Sequence, residues 1–230
     1  MPRVKHVPHG FDLAAALAGI EIDRAQPIAR QLYLALRQRI VDSRLPAGTP
    51  IHESDIAALC LVSRTPLRAA LQQLASEGLV VTRPQVGSIV AERDRARFLE
   101  ALFIRAAIEG RIARRLAQTG LDDKRLAPVL ARQEAAARVD DYVTFFEADE
   151  LFHEVLADMA GVPGAWQLAQ TVKAHVDRER FILMSSIHGR SQRAFDDHMR
   201  ILAAIRSQDA DRAEAEMVGH IETVLNASGP

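Results

Sequence analysis

Three histidines and one aspartate in the second half of the chain have the spacing of a buried metal site. Asp149 and His153 are four residues apart, so a helix would place them side by side on one face. Phe152 and other apolar residues share that region of the helix, which predicts that the carboxylate and the imidazole point into a core. His198 and His220 lie among apolar residues in the same way, in two later periodic segments. Buried polar groups of this kind require partners.

Three imidazole nitrogens and one carboxylate oxygen form a ligand set for a divalent metal ion. Zn²⁺ is the first choice for such ligands, and Ni²⁺, Mn²⁺, Co²⁺ and Fe²⁺ are compatible with them. The alternative is that the histidines are separate core residues, each hydrogen-bonded to the backbone. Periodicity alone leaves both interpretations open.

Two arginines in the first half of the chain have a position suited to reading DNA. Arg64 and Arg68 lie near the start of a predicted helix, on a different face from Leu67, Leu71 and Leu74. The free N–H groups at a helix start attract phosphate, and an arginine can form two parallel hydrogen bonds with O6 and N7 of guanine. The alternative is that both arginines are solvated surface charges.

A charged pair interrupts the apolar stripe of another predicted helix. Arg105 and Glu109 lie between Leu102 and Ile112 on the inward face. One interpretation is an internal ion pair that fixes helix packing. The other is that Arg105 binds an anionic effector, because its planar fork matches a carboxylate.

The elements around Arg64 and Arg68 follow the order of a winged helix-turn-helix. Helices are predicted at 25–41, 53–59 and 64–77, and short strands at 79–82 and 88–91. In this motif the third helix enters the major groove and the two-stranded wing lies beside it.

The rest of the chain predicts helix throughout. The segments are 94–118, 122–139, 141–159, 165–185, 191–207 and 210–227. We therefore expect a mainly α protein with a three-helix winged helix-turn-helix and a C-terminal all-α bundle of six or seven helices. The expected organisation is a tail or short extra helix at 1–24, a DNA-binding domain at 25–92, and an effector-binding and dimerisation domain at 93–230.

The motif around the third helix is specific. Its core is Ser63-Arg64-Thr65-Pro66-Leu67-Arg68, preceded by Glu53-Ser54-Asp55 and followed by a glycine in the wing. This pattern closely resembles the DNA-binding domain of GntR-family transcription regulators, over about residues 25–92. The resemblance implies the following DNA-contacting residues: Ser54, Ser63, Arg64, Thr65, Arg68, Gln85 and Gly87.

The chain departs from the usual GntR pattern at two positions. Ala69 stands where the family usually has glutamate, and Leu61 stands where it usually has a turn glycine. The first departure bears on how Arg68 is held, and the second on the local turn. Neither removes a side chain that reads bases.

The second half of the chain carries a motif of its own. Asp149-x-x-x-His153 is followed by His198, then by Leu202-Ala203-Ala204-Ile205, and finally by His220. This order resembles the FadR-type C-terminal domain called FCD, over about residues 94–226. Because many FCD domains bind a metal through these positions, the resemblance implies that Asp149, His153, His198 and His220 are metal ligands.

Composition excludes several other classes of protein. Cys60 is the only cysteine, so no disulfide framework is possible and a reducing cytoplasm fits. No apolar run is long enough for a transmembrane helix, and we expect no membrane partner. Residues 1–93 contain 11 Lys/Arg and 8 Asp/Glu, whereas residues 94–230 contain 18 and 22. Only the first part has the sign that suits a polyanion.

Together these features predict a ligand-responsive transcription regulator and not an enzyme. We expect a homodimer on a pseudo-palindromic DNA operator, and a repressor released when a small carboxylate effector binds at the metal. One alternative is a metal-dependent enzyme fused to a DNA-binding domain, since a His/Asp site can activate water. The other is an acyl-type sensor whose metal site is purely structural.

Overall fold

The chain divides into two compact units after Asp94. A computed structural model describes residues 11–83 and 87–227. The fold is mainly α, as predicted, with an N-terminal winged helix-turn-helix and a C-terminal bundle of six helices. Within the described parts of the chain, no helix is long and apolar enough to cross a membrane.

Between residues 11 and 94, where the structure describes it, the N-terminal unit has four helices and a small sheet around one core. Its elements are α1 (Leu13–Leu17), α2 (Ile28–Val41), β1 (Pro50–Ile51), α3 (Glu53–Leu59), α4 (Arg64–Ser76), β2 (Val80–Arg83) and β3 (Gly87–Val90). The predicted stripe of α2 is buried at Leu32, Leu36 and Ile40, and α4 buries Leu67 and Leu74 against it. Burying one face of α4 leaves its other face exposed.

The sheet has one more strand than the two-stranded wing expected from the sequence. Its order is β1-β3-β2, all antiparallel, with Pro50 opposite Ile89. A two-residue strand is too short to show a period of two, so the sequence around it indicated only a turn. Pro50 cannot donate a ladder hydrogen bond, which suits the edge position of β1.

The segment before α2 is attached to the helix-turn-helix by arginines. Arg39 is buried and donates from Nε to the carbonyl oxygen of Ala16 at 3.0 Å and from Nη2 to that of Ala18 at 2.8 Å. Arg24 donates to the carbonyl oxygen of Leu61 at 3.2 Å, in the turn before α4. These bonds fix α1 and the following loop on the DNA-binding unit.

Leu61 has a left-handed backbone conformation, with φ of 54°, and a 77% exposed side chain. A leucine pays a steric cost in this region that glycine does not, and little burial offsets it here. We expect Leu61→Gly to raise the free energy of unfolding by about 0.5–1 kcal/mol. Urea unfolding measures this change.

The matched control is Leu34→Gly, because Leu34 is also exposed but lies inside α2. That change is expected to lower the free energy of unfolding by about 1 kcal/mol. A similar loss in Leu61→Gly would show that the Leu61 side chain stabilises the turn.

The C-terminal unit is a bundle of six helices within the described residues. They are α5 (Arg95–Thr119), α6 (Asp123–Arg138), α7 (Tyr142–Met159), α8 (Pro163–Ser186), α9 (Arg190–Arg206) and α10 (Ala210–Ala227). Asp122 and Asp141 cap α6 and α7 through their side chains, and Pro163 begins α8. These signals account for the short connections between helices.

Helix α5 is the centre of the bundle, and it packs against α7, α8, α9 and α10. Its approach to α10 is close at Gly110, where a Cβ atom would lie 3.0 Å from Cγ2 of Val218. A larger residue would push the helices apart. The packing around α5 brings the inward faces of α7, α9 and α10 together.

Candidate metal centre and DNA-reading helix

The four predicted metal ligands meet in the core of the C-terminal unit. Helix α7 supplies Asp149 and His153, α9 supplies His198, and α10 supplies His220. All four side chains are buried, and one possible ligand atom of each lies within 4.8 Å of those of the others. The three histidines are therefore one cluster, and not separate core residues.

The centre of the cluster is formed by nitrogen and carboxylate oxygen atoms. Nε2 of His198 lies 3.3 Å from Nε2 of His220 and 3.4 Å from Oδ1 of Asp149. Nε2 of His153 lies 3.9 Å from Oδ2 of Asp149 and has no hydrogen-bond partner, although it is buried. A buried nitrogen without a partner is costly in a protein interior. A metal ion at the centre of the cluster would accept this nitrogen as a ligand.

Each histidine has an oxygen acceptor near its other ring nitrogen, Nδ1. The pairs are His153 with Oε2 of Glu109 at 2.6 Å, His198 with Oε1 of Gln133 at 3.0 Å, and His220 with Oδ2 of Asp197 at 3.3 Å. The first is a close approach and not a well-aligned hydrogen bond. Acceptors in this position favour the tautomer with the proton on Nδ1, which leaves Nε2 free for a metal.

The pKa shifts of Asp149, His198 and His220 favour the metal-binding protonation states of these three residues. Burial lowers the pKa of His198 well below its usual value, and the neighbouring His220 lowers it further. Burial also lowers the pKa of His220. Burial by itself would raise the pKa of Asp149, but Arg180 and His153 outweigh it and hold that pKa well below its usual value. Neutral imidazoles and an ionised carboxylate are the forms that bind metal ions.

Arg180, in α8, is the residue most closely tied to the carboxylate of the cluster. Its Nη1 donates to Oδ2 of Asp149 and its Nη2 to Oδ1, both at 2.7 Å. This is a parallel fork between two buried side chains. His175, on the same helix, is buried but is not one of the four clustered residues.

Arg105 forms an internal ion pair with Glu109. Its Nε donates to Oε1 at 2.6 Å and its Nη2 to Oε2 at 3.2 Å, and both side chains are buried. Because Glu109 also approaches His153, the pair supports the cluster from the side of α5. That Arg105 binds an anionic effector stays a prediction.

A cavity of about 100 Å³ opens next to the cluster. Its lining includes His220 and Asp197 together with three arginines, Arg180, Arg190 and Arg193. Burial lowers the pKa of Arg190, and Arg193 and Arg180 lower it further. Several guanidinium groups around one small cavity favour an anionic occupant.

The predicted DNA-reading residues of the N-terminal unit are exposed where the structure describes them. They are Ser54 on α3, Ser63 before α4, Arg64, Thr65 and Arg68 in the first turns of α4, and Gly87 in the wing. Gln85 lies outside the described residues. Ser63 has the extended backbone of an N-cap without a side-chain capping bond, so its hydroxyl is not used by its own helix.

Arg68 is held by a residue of the preceding helix. Its Nε donates to Oε2 of Glu53 at 2.7 Å. This pair orients the guanidinium although Ala69 replaces the usual glutamate. Gly87 has φ of 91°, and no atom lies within 4 Å of the position that a Cβ would take. The backbone conformation therefore requires a glycine at position 87, whereas packing within the protein does not.

Comparisons with known proteins match both units. The FCD domain family matches residues 100–223, and the gntR family of bacterial regulatory proteins matches residues 28–90. The chain belongs to the GntR family, in its FCD class. Among solved structures, Escherichia coli McbR/YncC has the same fold, with a TM-score of 0.73 at 19% identity over 86% of this chain and 95% of that one.

Curated relatives of this GntR regulator are transcription regulators, not enzymes. The HTH-type transcriptional repressor RspR of Escherichia coli K12 is 32% identical over 206 residues, which cover 89% of this chain and 90% of RspR. The gluconate operon transcriptional repressor of Bacillus subtilis 168 is 30% identical over 172 residues, covering 73% of this chain and 68% of that protein. A fused metal-dependent enzyme is thus not supported.

Sequence reasoning missed three residues around the cluster of this GntR regulator. They are Arg180, Gln133 and Asp197. Gln133 is fully buried and also donates to the carbonyl oxygen of Ala148 at 3.1 Å, so it links α6 to α7. A glutamine on the inward face of a helix is a signal that could have found it.

Proposed function

We propose that this regulator is a repressor that binds a divalent metal ion at Asp149, His153, His198 and His220. In this proposal, a small carboxylate effector binds beside the metal and releases the protein from its operator. The observation that carries the proposal is the meeting of three Nε2 atoms and one carboxylate, with an acceptor near each Nδ1. This donor set fits Zn²⁺, and Ni²⁺, Mn²⁺, Co²⁺ and Fe²⁺ are alternatives.

The cavity beside the cluster supports a carboxylate effector. It has Arg180, Arg190 and Arg193 in its lining, and it reaches His220. A bound metal ion would supply an electron-pair acceptor for one oxygen of the effector, while the guanidinium groups would hold its charge. The names of two relatives refer to sugar-acid and sugar operons, gluconate in Bacillus subtilis and D-xylose in Paenarthrobacter nicotinovorans. Both compounds are rich in oxygen, and the arginines of the cavity favour a negative charge, so we infer a small oxygen-rich anion as the effector class.

The operator is proposed to be read by α4 and the wing. The exposed side chains of Arg64 and Arg68 would contact base edges, and Ser54, Ser63 and Thr65 the backbone or bases nearby. Gln85 and Gly87 would contact DNA from the wing. A homodimer would place two α4 helices on the half-sites of a pseudo-palindrome.

The metal part of the proposal is tested by adding Zn²⁺ to the protein after chelation. Trp166 is the only tryptophan, and its ring stacks on that of His153, with centroids 6.0 Å apart. Zn²⁺ is expected to change the Trp166 fluorescence and to raise Tm. At a free metal concentration one hundred times Kd, the stabilisation is about 2.7 kcal/mol.

His198→Ala removes a central ligand and is expected to abolish both responses. His188→Ala is the matched control, because the His188 side chain is exposed and outside the cluster. Equal Zn²⁺ responses in His198→Ala and the unaltered protein would contradict the proposed site.

A further inference from the structure

The buried carboxylates of the C-terminal unit already have cationic partners. Within its described residues they are Asp149, Glu109 and Asp177. Their ion pairs are Asp149 with Arg180 at 2.7 Å, Glu109 with Arg105 at 2.6 Å, and Asp177 with Lys173 at 2.7 Å. Four cations, Arg105, Lys173, Arg178 and Arg180, are buried in the described part of this unit, so the charge balance of this part of the core has no negative excess.

Two further carboxylates lie at the edge of this region. Glu150 contacts Lys173, and Asp197 contacts both Arg200 and His220. Both are partly exposed. They are paired and screened by solvent, so they add little negative charge at the centre of the cluster.

This charge balance affects how tightly the cluster can bind a divalent metal ion. An aspartate ligand normally offsets one of the two charges of a divalent ion, but Arg180 already offsets Asp149. A metal ion would therefore bring two uncompensated positive charges into a buried region, which is strongly unfavourable. The arginine also lies next to the metal position, where like charges repel.

An anion that would supply negative charge could bind in the cavity beside the cluster. Arg180 and His220 both line the cavity beside the cluster, together with Arg190 and Arg193. An anion there would lie beside Arg180 and beside His220, one of the four proposed metal ligands. A carboxylate there would attract both the metal ion and Arg180, and its single negative charge would halve the imbalance.

We propose that Arg180 makes metal binding and anion binding depend on each other. With Arg180 present, the metal binds weakly alone and tightly together with a carboxylate in the cavity. Because coupling between two sites is reciprocal, the carboxylate also binds weakly without the metal. This inference rests on the proposed metal site and adds how that site is regulated.

The test is a calorimetric titration with Zn²⁺ alone and with Zn²⁺ in excess sodium acetate, using sodium chloride at equal ionic strength as the reference. Acetate is the minimal carboxylate, and its own weak binding of Zn²⁺ is subtracted. In the unaltered protein, acetate is expected to tighten Zn²⁺ binding by about 5- to 150-fold, the usual range for coupled sites.

Arg180→Gln removes the charge and keeps a hydrogen-bond donor for Asp149. We expect it to bind Zn²⁺ alone at least about tenfold more tightly than the unaltered protein, because the repulsion is gone. Acetate should then give it no further tightening. Arg180→Lys keeps the charge and is expected to keep weak, acetate-dependent Zn²⁺ binding. Comparing it with Arg180→Gln separates the effect of the lost charge from the effect of changing the side chain. Arg138→Gln, at an exposed arginine paired with Glu134, is the control that should behave like the unaltered protein.

Weaker Zn²⁺ binding in Arg180→Gln would mean that Arg180 only orients Asp149, and it would overturn the inference. Acetate-independent Zn²⁺ binding by the unaltered protein would overturn it as well. In both cases the metal site itself would stand. The absence of Zn²⁺ binding under every condition would instead reject the proposed metal site, and this inference with it.

Discussion

Replacing Arg64 and Arg68 together with alanine is expected to lower the affinity for a specific operator by about 2–6 kcal/mol in binding free energy. Each arginine that forms two hydrogen bonds with a guanine contributes about 1–3 kcal/mol of discrimination. Both side chains are exposed on the first turns of α4, whose opposite face is buried. Fluorescence anisotropy at fixed salt, on DNA selected from a random library by the purified protein, measures the loss.

The single variants separate the two arginines. Arg64→Ala is expected to weaken operator binding and to relax base preference. Arg68→Ala should do the same to a smaller extent, because Glu53 already accepts a hydrogen bond from its Nε. Arg30→Ala, at an exposed arginine of α2, is the control and should retain affinity. Wild-type affinity of the double variant for the selected DNA would contradict the assignment of α4 as the reading helix.

Arg105→Met is expected to destabilise the C-terminal unit by about 3–5 kcal/mol, because it leaves Glu109 charged and buried without its cation. The guanidinium of Arg105 is the main reason that the pKa of Glu109 lies below its usual value, although burial acts to raise it. Urea unfolding followed by circular dichroism measures the loss.

The double variant Arg105→Met/Glu109→Gln removes the unpaired charge as well. It is expected to recover much of the lost stability, since replacing both partners costs less than removing one. A cost below 1 kcal/mol for Arg105→Met would show that the pair is not important for folding. The folded double variant also tests the remaining prediction for Arg105, because an unchanged effector response would contradict effector binding by Arg105.

Much of the fold follows from periodicity. Helix α4 has leucines at its buried positions and α7 has Phe152 and Leu156, so both helices could be read from their apolar stripes. The clustered pair on α7, Asp149 and His153, was predicted for the same reason. A carboxylate and an imidazole four residues apart, on an otherwise apolar face, form a local pattern that needs no knowledge of the neighbouring helices.

The residues that sequence reasoning missed depend on contacts between elements. Helix α8 buries charged residues at Lys173, Asp177, Arg178 and Arg180, which lie on several faces, so no apolar stripe indicates its orientation. The fork from Arg180 to Asp149 joins residues 31 positions apart. Likewise, the bond between Arg68 and Glu53 exists only because α3 and α4 pack together. Such pairs are set by tertiary packing, which the spacing within one helix does not record.

The most direct test of a metal-dependent, effector-responsive repressor is the operator affinity in the presence of small carboxylates, measured with bound metal and after chelation. We predict that at least one carboxylate weakens operator binding by about 5- to 150-fold when the metal is present. The same compound should have no effect after chelation or in His220→Ala. Equal release of the operator with and without the metal would contradict effector binding at the metal and leave the ion, at most, a structural role.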